Sequence, residues 1–182
     1  MEALYAENAN PVISLLALEG IAALAKSLPI IVASPSSVAA RSSALYGAWL
    51  CGLCLGSVGM ALHHKLCHAV AGSFDLPHAE THTCLLPHVL AYNAPSIPRV
   101  MEQLAAVFPN SNGDAIHGLN ALLDGLKVEK GLKNHGFRVE DVGRAADIAV
   151  SNPYYNPRKV DRDLIQELIR RACMGEDARA DM

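Results

Sequence analysis

Apolar residues recur at helical spacing along nearly the whole chain, and the two-residue alternation of a half-buried strand persists nowhere beyond a few positions. Asn10 followed by Pro11 reads as an N-cap with proline at the first helical position. From there Ile13, Leu16, Ala17, Ile21 and Leu24 carry a helix to about Ser27, where Pro29 is expected to stop it, leaving Ile30-Ile31-Val32 as the one strand-like run. After the break at Pro35-Ser36-Ser37 the pattern predicts one long helix to about Val70, with an exit at Gly72. Further helices are predicted over His78 to Tyr92, Pro98 to Phe108, Asp114 to Lys127, Glu140 to Val150 and Asp161 to Met174. In the last, Leu164, Ile165, Leu168, Ile169 and Ala172 share one face and the charged residues take the other. The expected fold is all-α: a helical bundle of about seven helices around a long apolar central helix, in one domain over residues 1–175, with a loose polar tail over 176–182.

Composition narrows the partners. Hydrophobic residues make up 51% of the chain and charged ones 18%, so a sizeable core is affordable, and a formal charge of −3 with no basic stripe argues against nucleic acid. Ser42 to Leu62 carries no charge and is long enough to span a bilayer. It lacks flanking Lys/Arg asymmetry and an aromatic belt, so a helix walled by other helices is the preferred reading and no membrane is expected. The five cysteines lie mostly on apolar stretches and no leader pattern precedes them, which points to reduced thiols in a cytoplasmic protein. Cys51 and Cys54 have redox spacing, but no second pair exists and their neighbours are apolar. Gly52, Gly56 and Gly59 lie in an apolar helical run, where a nucleotide phosphate could not meet free amides.

Chemistry concentrates between residues 63 and 82, where His63, His64, His68, His78 and His82 gather five of the eight histidines. Imidazole titrates near neutrality, hydrogen-bonds in both senses and binds metals, so a cluster serves proton transfer, carbonyl polarisation or coordination. His64 and His68 stand four residues apart on one helical face, and His78 follows a turn that can fold it back toward them. This spacing suits a metal, yet the general-base Glu of the zinc-protease motif is replaced by Lys65-Leu66-Cys67. A metal site, a metal-free histidine site and structural histidines all remain open on spacing alone. Lys65 beside the cluster suits an anionic substrate. His88 reads as a buried hydrogen-bonding residue, and His117 and His135 as surface residues in polar surroundings.

Five segments carry a family resemblance: Tyr46-Gly-Ala-Trp49-Leu-Cys-Gly, the run from Gly56 to His68, Leu76-Pro-His-Ala-Glu-Thr-His82, Leu86-Pro-His-Val-Leu-Ala-Tyr-Asn93 and Asn152-Pro-Tyr-Tyr-Asn-Pro-Arg158. In these the chain resembles the maleylacetate reductases, a branch of the iron-containing alcohol dehydrogenase superfamily. The resemblance implies a two-domain oxidoreductase in which this chain is the helical half. Its NAD(P)H would be held by an N-terminal nucleotide-binding domain that lies outside the chain. It implies catalytic roles for His64, His68, His78 and Lys65, and contacts to the carboxylates of the substrate from Lys65, His82 and His63. In metal-using relatives His64 and His78 would be ligands, the other two coming from an Asp-x-x-x-His helix upstream of Glu2; the reductase branch is expected to work without a metal. The implied reaction is reduction of maleylacetate, a small dicarboxylate, to 3-oxoadipate in aromatic compound breakdown, by a homo-oligomer whose isolated helical half is inactive. A metal-dependent alcohol dehydrogenase domain and a non-catalytic helical interaction module are the alternatives.

Overall fold

The computed structural model describes residues 1–181; Met182, the end of the expected tail, lies outside them. The described residues form eight α-helices: α1 (Pro11–Ala33), α2 (Val38–Ser57), α3 (Leu62–Phe74), α4 (His78–Asn93), α5 (Pro98–Val107), α6 (Ala115–Gly125), α7 (Val142–Val150) and α8 (Arg162–Met174). Four short 3-10 turns supplement them, and no strand occurs among the described residues. The all-α fold class expected from the sequence is what is found. The chain groups into two compact units. One comprises Met1–Gly59 with Ile97–Val128, the other Met60–Ser96 with Glu129–Met182.

Local signals set most helix starts. Asn10 Oδ1 accepts from the Ile13 amide at 3.1 Å, Asp114 from Ile116 and His117, and Asp161 from Asp163 and Leu164. Each occupies an amide that the helix itself cannot satisfy. Two expectations fail. Pro29 does not end α1, which continues through Ile30-Ile31-Val32 to Ala33; the exposed proline removes one ladder bond, on a face where water can replace it. The single long helix from residue 38 to 70 is in fact α2 and α3, divided where Val58 is extended and the Gly59 amide donates to Asn8 Oδ1 at 2.8 Å. The exit from α3 is not Gly72 but Asp75, whose φ of 53° is the left-handed conformation that Asp tolerates.

In the first unit α1 and α2 form an antiparallel hairpin that closes around glycine. A Cβ on Gly47 would lie 2.9 Å from the Gly20 carbonyl oxygen and 2.9 Å from Leu24 Cγ, so the helices approach backbone to backbone there. Outward, the hairpin is apolar: Val12, Leu15, Val38, Leu45 and Trp49 are each at least 60% exposed. Both α1 and α2 are long and apolar enough to cross a membrane by length and composition. Cys54 is buried with its thiol 3.6 Å from the Ile13 carbonyl oxygen, and burial raises the pKa of both Cys51 and Cys54, which marks them as packing residues rather than a reactive pair.

The second unit holds the larger core. Leu62, Leu66 and Val70 of α3, Leu85 of α4, and Ile165, Leu168 and Ile169 of α8 are all fully buried in one cluster. Burial of each such side chain is worth about 1.5–3 kcal/mol against exposure. The polar segment after α8 is tied down through residue 181 by Arg171 with Asp181, Arg179 with Asp181 and Lys130 with Asp177, and Ala178 is buried.

Candidate active site

Two helices of the second unit supply the histidines. On α3 they fall at 63, 64 and 68; then the left-handed Asp75 and the turn through Leu76 and Pro77 reverse the chain, so that α4 begins at His78 and presents His82 one turn on. Leu66, Cys67 and Val70 face the core, which leaves His64 half-buried and His68 exposed on the other side of α3.

The rings meet. His64 and His68 have centroids 6.4 Å apart, His68 and His78 6.0 Å with planes inclined by 25°, His78 and His82 4.4 Å, and His82 and His64 5.0 Å. These four form a closed circuit of imidazoles. His63 joins from the core side, 5.5 Å from His64 and 4.9 Å from His82, and its Nε2 donates to the His82 carbonyl oxygen at 3.0 Å. All five histidines of the sequence cluster are thus contiguous. His82 Nε2 is buried without a hydrogen-bond partner. Burial, and then the neighbouring imidazoles, lower the pKa of His82 to about 4, so the ring is neutral at pH 7 and offers a hydrogen bond rather than a charge.

Lys65 turns elsewhere. It is exposed, and its Nζ lies 5.9 Å from the centre of the Tyr154 ring. Tyr154 belongs to the segment between α7 and α8, where Asn152, Tyr154, Asn156, Arg158 and Lys159 line a cavity of about 320 Å³. That segment is held by Tyr92: the Tyr92 hydroxyl donates to the Lys159 carbonyl oxygen at 2.7 Å, and Arg158 stacks over the Tyr92 ring at 4.4 Å while donating to its carbonyl oxygen. Asn93 and Asn156 exchange two side-chain hydrogen bonds, and Asn156 Oδ1 also accepts from the Leu62 amide at 3.4 Å, at the first residue of the histidine-bearing helix.

Sequence reasoning reads Tyr92, Asn93 and the Asn152 to Arg158 segment only as carriers of the family resemblance and gives them no role at the site. His88 lies apart, buried as expected, and burial lowers its pKa to about 4. His117 is exposed, whereas His135 departs from its expected polar surroundings, with a buried Nε2 that has no hydrogen-bond partner.

Residues 1–173 match the description of the Fe-containing alcohol dehydrogenase family, C-terminal. The chain belongs to that family. Among Fe-containing alcohol dehydrogenase relatives, the maleylacetate reductase of Sphingobium indicum is 49% identical over 175 residues, 96% of this chain and 49% of the relative. The crystal structure of maleylacetate reductase from Rhizobium sp. strain MTP-10005 superposes with a TM-score of 0.92 at 45% identity, covering 97% of this chain and 49% of that one. The maleylacetate reductase structure from Agrobacterium tumefaciens gives a TM-score of 0.92 at 44% identity, with coverage of 97% and 49%. The chain spans about half the length of the relatives it matches.

The family description names iron, and the resemblance assigns His64 and His78 to it. Their rings lie in the same circuit, each 5.0 Å or less from His82, and would supply two imidazole donors.

Proposed function

We propose that this chain is the imidazole-bearing half of a maleylacetate reductase, in which NAD(P)H-dependent reduction of the carbon-carbon double bond of maleylacetate yields 3-oxoadipate. The circuit of His64, His68, His78 and His82, together with the maleylacetate reductase relatives at 49% identity, carries the reading. The nucleotide, bound by a domain outside this chain, supplies a hydride to the alkene carbon conjugated with the ketone.

What this chain adds is placement and protons. Charge developing on the ketone oxygen as an enolate forms needs a donor, and an imidazole N–H of His64 or His68 supplies it. A second imidazole of the circuit, His78 or His68, then delivers the proton to carbon as general acid. Two carboxylates must be held as well. Lys65, between the histidines and the cavity lined by Arg158 and Lys159, takes one by charge, and His63 and the neutral ring of His82 contribute hydrogen bonds.

The proposed partners are the nucleotide-binding domain, a second copy of the chain and the dicarboxylate, in the cytoplasm. The decisive assay follows NADH consumption with maleylacetate by the chain alone and after addition of the nucleotide-binding half of a relative. Turnover is expected only in the second case. A well-folded, nucleotide-loaded complex without turnover overturns the reading. If it oxidises simple alcohols instead once a divalent metal is added, the metal-dependent dehydrogenase alternative takes its place.

A further inference from the structure

Besides the imidazoles, the second unit carries a cavity whose side chains the reaction leaves without a task. It measures about 320 Å³ and is walled by the segment between α7 and α8. We propose that Lys159 and Asn152 hold a carboxylate there, which makes this cavity the subsite for the second carboxylate of a short aliphatic dicarboxylate. Resting on the maleylacetate reading for its ligand, the assignment gives one end of the molecule to Lys65 and the other to Lys159.

The wall suits an acid with a carbon chain. Val150, Pro153 and Val160 give it an apolar side, Asn152 and Lys159 a polar one, and among the described residues no carboxylate lines it. Its volume stands at the lower end of the range for small-molecule sites, roughly 300–1,000 Å³, which fits an acyclic acid of about ten non-hydrogen atoms and not a dinucleotide.

The charge of Lys159 is available. Among the described residues it pairs with no carboxylate, and the nearest acid along the chain, Asp161, turns its Oδ1 to the amides of Asp163 and Leu164 at the start of α8. Such an ammonium is a compact point charge that a carboxylate can approach closely. Asn152 adds an amide N–H, its Nδ2 lying 3.4 Å from Ser151 Oγ.

Placement is firm although the segment has no regular secondary structure. The Lys159 carbonyl oxygen accepts from the Tyr92 hydroxyl at 2.7 Å, and that hydroxyl accepts from the Asp161 amide at 3.2 Å, which fixes the backbone on both sides of the lysine. Tyr92 itself is fully buried. Asn156 Nδ2 donates to the Arg158 carbonyl oxygen at 2.7 Å, so Arg158, engaged with Tyr92, positions its neighbour. A held backbone lowers the ordering that binding requires. Lys65 Nζ, 5.9 Å from the centre of the Tyr154 ring in the same wall, sets the first carboxylate beside the cavity.

The test titrates the full chain with adipate, a saturated six-carbon dicarboxylate that cannot be reduced, against hexanoate as the one-carboxylate control, both followed by two-dimensional NMR. Adipate is expected to bind saturably, to shift the Asn152 and Lys159 signals, and to bind about tenfold more tightly than hexanoate, the scale of one charge-assisted hydrogen bond. In Lys159→Gln that advantage should fall to about twofold or less, with Lys159→Arg restoring most of it and the exposed control Lys133→Gln leaving it unchanged. Should Lys159→Gln fail to fold by circular dichroism, Asn152→Ala, at an exposed position, must weaken adipate instead. A folded chain that does not bind adipate, an advantage that survives in folded Lys159→Gln, or an equal loss in Lys133→Gln overturns the proposal and leaves the reductase reading standing. Binding through Lys159 in a chain whose completed complex does not turn over maleylacetate supports the dicarboxylate site and removes that reading.

Discussion

The side-chain amides of Asn93 and Asn156 bond each other twice, at 3.1 and 2.7 Å, sixty-three positions apart in the chain. Asn93 ends the helix that carries His78 and His82, and Asn156 caps the helix that carries His63, His64 and His68. The pair therefore ties together the two elements whose relative placement sets the imidazole circuit. Asn156→Ala removes both of these bonds from the buried Asn93 amide, at a cost of about 1–3 kcal/mol. A thermal melt should show a drop of several degrees, and an unchanged melt would mean that water replaces the bonds without loss.

The α1–α2 hairpin makes a paired prediction. Gly47→Ala places a Cβ 2.9 Å from the Gly20 carbonyl oxygen, and relieving that contact by moving backbone costs about 1–3 kcal/mol. At Gly52 a Cβ meets nothing within 4 Å, so Gly52→Ala should stabilise by up to about 1 kcal/mol through helix propensity. Denaturant midpoints of the two variants should move in opposite directions; movement in the same direction contradicts the close crossing.

How much of this was legible in sequence differs by range. Asn10, Asp114 and Asp161 were readable as caps because a side chain bonding an amide two or three residues on is a local event. The break at Val58 was not, because the apolar run passes through it unchanged. Nor was the exposure of Leu45 and Trp49, since an all-round apolar helix reads the same whether or not anything covers it. Within the site, His64 with His68 and His78 with His82 follow from i,i+4 spacing. The bond from His63 to the His82 carbonyl and the approach of Cys67 to His82 depend on how α3 packs on α4, which no short-range pattern encodes.

Acid should destabilise the fold through His88. The ring is buried, its pKa lowered to about 4 by desolvation and then by the positive charge of Arg171, while the unfolded chain titrates near 6.5. The unfolded state thus binds more protons between those values, and stability present above about pH 6.5 is lost as pH falls toward 4. The shift corresponds to about 3 kcal/mol at most. Urea midpoints at pH 7, 5.5 and 4.5 should fall steadily in the native chain and less steeply in His88→Gln. Equal slopes would remove His88 from the account.

Exposed apolar side chains concentrate on α1 and α2 rather than around the histidines. Contiguous surface of this kind drives association. Light scattering across concentrations should show the isolated chain forming oligomers, and Leu45→Glu with Trp49→Glu should shift it toward monomer. A native chain that stays monomeric throughout argues against this surface as the point of assembly.

The central claim is that the imidazole circuit supplies the protons and the oxyanion contact for reduction of maleylacetate. The most direct test is kcat for NADH-dependent maleylacetate reduction by His64→Ala and His68→Ala, each in the complex completed by a nucleotide-binding half. The account predicts losses of about 10²-fold or more in kcat with the fold intact; turnover unchanged in both variants would contradict it.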